Sequence, residues 1–82
     1  MHTVYILRSL KDPKRVYVGY TANLDRRLKE HNRLVSTYSR QYAPWEVETS
    51  ITFKSESTAK NFEMYLKAGS GHAFLHKRLI SG

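Results

Sequence analysis

The chain has 82 residues, with fourteen Lys and Arg against seven Asp and Glu and no cysteine. That length allows one small core, so one domain is expected over residues 1–82. Lack of cysteine excludes a disulfide framework and a thiolate zinc site. No run approaches the roughly 20 apolar residues of a membrane helix. Met1-His2-Thr3-Val4 lacks the charged start and apolar run of a secretory signal. The expected setting is cytoplasmic, with no membrane involved.

Charge narrows the partner. The net charge is +7. Residues 1–45 hold nine of the bases and three of the acids, a net of +6, and the remainder nets only +1. A field this concentrated gathers polyanions and speeds their encounter. Nucleic acid is therefore the expected partner, and no partner protein is identifiable.

Thr3-Val4-Tyr5-Ile6-Leu7 is rich in β-branched and aromatic residues and reads as a strand. Lys11-Asp12-Pro13-Lys14 is a turn. Arg15 to Tyr20 reads as a second strand, so residues 3–20 form a hairpin. Thr21 or Asn23 can cap the helix that follows, since either side-chain oxygen can accept a free helix N–H. Leu24, Leu28 and Val35 recur near helical spacing, and this helix runs to about Asn32. Residues 36–45 leave open a short helix ended by Pro44. Glu46 to Phe53 alternates polar and apolar, as a half-buried strand does. Ser55 caps a helix running to about Ala68, with Ala59, Phe62, Glu63 and Leu66 on one stripe. Gly69-Ser70-Gly71 breaks it. A last short helix, about His72 to Ile80, offers Phe74, Leu75 and Leu79 to the core. The order β-β-α-(α)-β-α-α gives an α+β fold, with one small, three-stranded, mostly antiparallel sheet flanked by helices.

Several residues ask for more than packing. Glu63 lies within the apolar stripe of its helix, where a carboxylate needs a partner or a cation. An i,i+4 pair with Lys67 is one answer, and a bound metal is the other. Arg27 and His31 are one helical turn apart and project from the same edge. An Arg there can stabilise charge on a phosphoryl group, and a His can move a proton near neutral pH; a solvated flank is the plain alternative. Tyr5 and Tyr17 sit in mid-strand, either as amphipathic core residues or as site tyrosines. Gly19 within a strand marks a bulge or a close approach. His72 and His76 are four apart with no third ligand evident. Tyr38, Tyr42 and Trp45, interleaved with Arg40, can stack on bases or fill the core, and Trp45 is assigned to the core.

These residues form an ordered set. Thr3-Val4-Tyr5, Tyr17-Val18-Gly19, the run from Tyr20 through Arg27 to His31, and Glu63 in a late helix together resemble the GIY-YIG nuclease superfamily. Within it, the chain is similar to the catalytic domain of the bacterial excision-repair incision subunit. The resemblance implies a metal-dependent endonuclease that hydrolyses nucleic-acid phosphodiesters, with DNA as the first choice, in repair or recombination. It implies Tyr5, Tyr17, Arg27, His31 and Glu63 as catalytic residues. Glu63 would be the only protein ligand of Mg²⁺ or Mn²⁺. Arg27 would stabilise the phosphate, Tyr5 or Tyr17 would help deprotonate water, and His31 would act as base or relay. Gly19, Arg26, Lys29, Arg33, Arg40 and Lys67 would contact nucleic acid, Gly19 by letting the phosphate approach. Some relatives carry an Asn after the acidic helix, where this chain has Gly71 to His76. The alternatives are a catalytically weak nucleic-acid-binding module and a repair accessory protein of the same fold.

Overall fold

The computed structural model describes residues 1–33 and 41–80. Its centre is a strand with both faces covered. In β1 (His2–Ser9), Val4, Ile6, Tyr5 and Leu7 are all at most 1% exposed, although alternate residues point to opposite sides. β2 (Val16–Thr21) and β3 (Trp45–Phe53) pair with its two edges, both antiparallel, in the order β2-β1-β3. The sheet is antiparallel throughout.

The β1–β2 hairpin places Tyr5 opposite Gly19 and Leu7 opposite Tyr17. Buried Ser9 organises the turn: its Oγ accepts from the amides of Lys11 (3.1 Å) and Asp12 (2.9 Å) and donates to the Tyr42 carbonyl. These bonds satisfy polar groups that would otherwise be costly to bury.

Helix α1 (Leu24–Asn32) begins at Asn23, whose Oδ1 accepts from the Arg26 amide at 3.1 Å. Thr21 supports that cap, its Oγ1 accepting from the Asn23 amide at 3.1 Å. Asp25 in the first turn and Lys29 and His31 in the last suit the helix dipole. At the far end, Asn32 Oδ1 accepts from the Trp45 amide (2.6 Å) and Asn32 Nδ2 donates to the Trp45 carbonyl (3.2 Å). This clip joins the end of α1 to the start of β3. Val35, Tyr38 and Arg40 lie outside the described residues.

β3 carries a bulge. Leu7 pairs with Val47 while Ile6 pairs with Thr49, so Glu48 is the extra residue, and it forms an ion pair with Arg8 at 3.2 Å. A one-residue slip exchanges the faces of a strand. Trp45 therefore packs with Tyr5 and Leu7, while Phe53 packs against the opposite core. The simple alternation expected for 46–53 holds only after the bulge, and Val47 is exposed.

Helix α2 (Glu56–Leu66) is capped by Ser55, whose Oγ accepts from the Thr58 amide at 3.3 Å. It buries Ala59 and Leu66 and ends at Leu66, two residues before Ala68. The glycines do not make an open break. Gly69, at φ +29°, turns the chain directly into α3 (Gly69–Phe74). Gly71 is buried against α2; a Cβ there would lie 1.6 Å from the Tyr65 carbonyl oxygen. The last helix thus starts at Gly69 rather than His72, and it widens into a π-helical stretch over Leu75–Leu79. Leu75 enters the core and Leu79 packs on it, but Phe74 stays 37% exposed, its ring against Tyr65. The Thr49 hydroxyl donates to the Leu79 carbonyl and ties this end to β3.

Two cores result. Val4, Ile6, Val18, Ala59, Leu66 and Leu75 fill the side of α2 and α3, and Tyr5, Leu7 and Trp45 fill the side of α1, with Leu24, Leu28, Tyr17 and Tyr42 packed around them. Among the described residues, no helix is long and apolar enough to cross a membrane.

Candidate active site

The α1 side of the sheet is built from polar aromatics. Tyr5 is 1% exposed, so its hydroxyl needs partners within the protein. It finds two on one edge of α1. Arg27 Nε donates to it at 3.2 Å, and His31 Nε2 lies 3.1 Å away. Helical spacing brings Arg27 and His31 to one edge, as four-residue separation requires. Tyr17, two residues before Gly19, completes the group. Its ring meets His31 at 4.6 Å between centroids and stacks near Tyr5 at 6.2 Å.

The hydrogen-bond directions follow from the donors. Arginine can only donate, so the Tyr5 oxygen accepts from Nε. Toward His31 the direction follows the imidazole tautomer: Tyr5 donates to Nε2 when the ring carries its proton on Nδ1, and accepts when the proton is on Nε2. The electrostatics favour a neutral ring. Burial and then the Arg27 charge hold the His31 pKa below its ordinary value. Burial raises Tyr5, opposed by the Arg27 hydrogen bond, and the Glu63 charge adds slightly to the rise. Arg27 is pushed further up, chiefly by its bonds to Tyr5 and Glu30.

Glu30 is a site residue that the sequence reading passed over. Its Oε1 accepts from Arg27 Nη1 at 3.0 Å, and its Oε2 lies 3.5 Å from Arg26 Nε. Arg27 is thus clamped between a tyrosine and a carboxylate. The i,i+3 and i,i+4 spacings from Arg27 and Arg26 to Glu30 were the available signal.

Glu63 stands on α2, across the β2 edge from this cluster. Its side chain is 21% exposed, and its Oε2 accepts from Lys67 Nζ at 3.0 Å. The ion pair open from the sequence is present. The carboxylate is also within electrostatic reach of Tyr5, as its effect on that hydroxyl indicates. Lys67 and Tyr17 line one depression on this edge. Gly19 lies beneath the Tyr5 hydroxyl: a Cβ there would come within 2.4 Å of that oxygen. Arg26, Lys29 and Arg33 line a depression beside α1, apart from Lys67, and Arg40 lies outside the described residues. Trp45, 2% exposed, belongs to the core, and Tyr42 packs beside it.

Among the described residues, no three His, Asp or Glu side chains gather as metal ligands. Glu63 has only Oε2 engaged among the described residues. Such a donor set suits a hard cation that keeps most of its water, such as Mg²⁺. Lys67 is half exposed, and exposed pairs contribute less than about 1 kcal/mol. A cation could displace it readily.

A three-stranded α+β domain with a Tyr–Arg–His cluster on one face of the sheet and an acid on the helix of the opposite face defines a distinct class. The chain belongs to the GIY-YIG catalytic domain family, whose model matches residues 1–74. It is 34% identical over 84 residues to the structure-specific endonuclease subunit SLX1 of Malassezia globosa, covering 98% of this chain and 18% of that protein. It is 37% identical over 71 residues to SLX1 of Debaryomyces hansenii, covering 78% of this chain and 20% of that protein. The chain therefore spans about a fifth of the length of these curated relatives. The solution NMR structure of a UPF0213 protein from Bacillus halodurans superimposes with a TM-score of 0.57 at 29% identity, covering 95% of this chain and 85% of that one.

Proposed function

We propose that this chain is an endonuclease that hydrolyses phosphodiester bonds of nucleic acid, DNA before RNA, in repair or recombination. The observation that carries the reading is the Tyr5 hydroxyl held between Arg27 Nε and His31 Nε2. The endonuclease names of the relatives support it.

In this reading, Tyr5 and Tyr17 position the attacking water at the β2 edge. Tyr5 takes its proton as its own proton passes to His31 Nε2, which is neutral and faces it. Arg27, fixed by Glu30, holds the Tyr5 oxygen in place during the relay and stabilises the charge growing on the phosphate. Glu63 would hold Mg²⁺ or Mn²⁺, which would supply polarisation of the phosphate and stabilisation of the leaving oxygen. Arg26, Lys29, Arg33, Arg40 and Lys67 contact the nucleic-acid backbone. The space at Gly19 serves the Tyr5 hydroxyl first, and approach of the phosphate there belongs to the proposal. A cytoplasmic location does too. The curated relatives are named as subunits, so this chain is expected to act with a partner protein, contrary to the expectation from sequence that none is identifiable.

A second reading, a binding module with weak catalysis, is favoured by the Glu63–Lys67 pair. One experiment decides between them. Wild type and Glu63→Gln are incubated with single-stranded, duplex and branched DNA in Mg²⁺ or Mn²⁺. Cutting by wild type that falls at least 100-fold in Glu63→Gln supports the nuclease. Binding without cutting supports the module. Equal cutting by both proteins removes Glu63 from the site.

A further inference from the structure

β2 is an outer strand, and three shallow depressions follow it from end to end. At its C-terminal end, Tyr20 and Thr21 meet Arg26 and Arg27 of α1. At its middle, Tyr17 and Val18 meet Lys67 and His72. At its N-terminal end, Val16 meets Lys14 and His76 beside Arg8. The first depression belongs to the α1 side already assigned to nucleic acid. The second holds Tyr17. The third has no role in what precedes.

The charges there are disposed to meet an anion. Arg26 and Arg27 share Glu30, and Arg8 is paired with Glu48. Lys14 is exposed and makes no ion pair among the described residues. His72 and His76, also exposed, stand four residues apart with ring centroids 4.4 Å from each other, so their rings share one face of the helix. Lys77 and Arg78 follow at the surface. Lys14, Lys77 and Arg78 extend positive charge to the end of β2 farthest from α1, and the two imidazoles add hydrogen-bonding groups beside them.

We propose that a nucleic-acid strand runs along β2 past Tyr17 to the hairpin turn, with Lys14, His72 and His76 binding its phosphates beyond the reacting one. This rests on the endonuclease reading and adds a second arm to it, on the side opposite Arg26. The dimensions suit it. Six residues of strand extend about 20 Å, and successive phosphates of one duplex strand rise about 3.4 Å. The two ends of β2 therefore hold different phosphates, on either side of the one at Tyr17.

The test is fluorescence anisotropy with an end-labelled 20-nucleotide DNA, single-stranded and duplex, in metal-free buffer over a salt series. Wild type is compared with Lys14→Gln/His76→Gln, with Arg26→Gln, and with Lys54→Gln. Lys54 follows β3, the opposite outer strand, and carries the same charge change as Lys14. The double variant should bind roughly three- to tenfold more weakly, and its plot of log affinity against log salt should be shallower by about 0.7–0.9. Lys54→Gln should change neither. If Lys54→Gln matches the double variant, the effect is net charge alone and the path is wrong. If the double variant binds like wild type while Arg26→Gln is weakened, the path is wrong and the endonuclease reading stands. If wild type binds neither DNA, both fall. All four proteins should melt at the same temperature, because the substituted residues are exposed.

Discussion

The hydroxyl of Tyr5 occupies the space that a side chain at Gly19 would need. The two residues are cross-strand partners, so neither can move without the other. Gly19→Ala should push the Tyr5 ring from Arg27 and His31. It should cost about 1–3 kcal/mol, the usual range for overpacking, and lower cleavage to the level of Tyr5→Phe. Urea unfolding and cleavage rates of both variants check this. A Gly19→Ala protein of wild-type stability would mean that the ring has room to yield.

In the proposed reaction Glu30 acts chiefly through Arg27, to which it is bonded at 3.0 Å, its contact with Arg26 being longer at 3.5 Å. Glu30→Gln keeps the side chain's shape but removes the charge that anchors Nη1. Cleavage should fall about tenfold, well short of the loss in Arg27→Ala, which removes the proposed donor to the reacting phosphate outright. The fall should appear in kcat with KM little changed. A loss confined to KM would assign Glu30 to nucleic-acid binding instead.

The His31 pKa is lowered in the folded protein, so the unfolded chain binds more protons at mildly acid pH. Stability should therefore rise with pH through the window that ends near 6.5, the ordinary histidine value. It should fall as pH drops below that value and level off below the depressed folded pKa. Tyr5 is raised, so its contribution is present below pH 10 and is lost above it. Urea midpoints at pH 5.5, 6.5 and 7.5 read the first effect, and His31→Gln should flatten its share of the slope. A midpoint that rises on acidification would contradict a buried neutral His31.

The two glycines of α3 should respond differently. Gly71→Ala puts a methyl onto the Tyr65 carbonyl and should cost 3 kcal/mol or more, on the order of the worst overpacking. Gly69→Ala meets open space but a left-handed backbone, at about 1–2 kcal/mol. Thermal melts of the two proteins rank them. Equal melting temperatures would mean that α3 is free to lift off α2.

Much of this arrangement could be read from the sequence because it is local. The Asn23 and Ser55 caps, the hairpin and the Arg27–His31 edge each depend on residues a few positions apart. What escaped depends on packing between distant segments. Glu63 showed two readings on one helix, and only its place beside the β2 edge relates it to Tyr5. The start of the last helix was misplaced because Gly69 and Gly71 look like loop residues, whereas their lack of side chain is what lets α3 lie on α2. Phe74 was given to the core for its hydrophobicity, yet its helix position turns it outward. Ser9 carried no signal, since its value comes from the Tyr42 carbonyl 33 positions away.

The extra residue at Glu48 gives β3 two phases. The odd-numbered residues of β3 answer to the aromatic side of the sheet before the bulge and to the aliphatic side after it. Deleting Glu48 would be far more disruptive than any substitution there. It would rotate Trp45 off Tyr5 and Leu7, loosen the Asn32 clip, and release the end of the helix that carries Arg27 and His31. A deletion in a strand that contributes none of the proposed catalytic groups would then silence the site from behind, while Glu48→Gln would leave it standing.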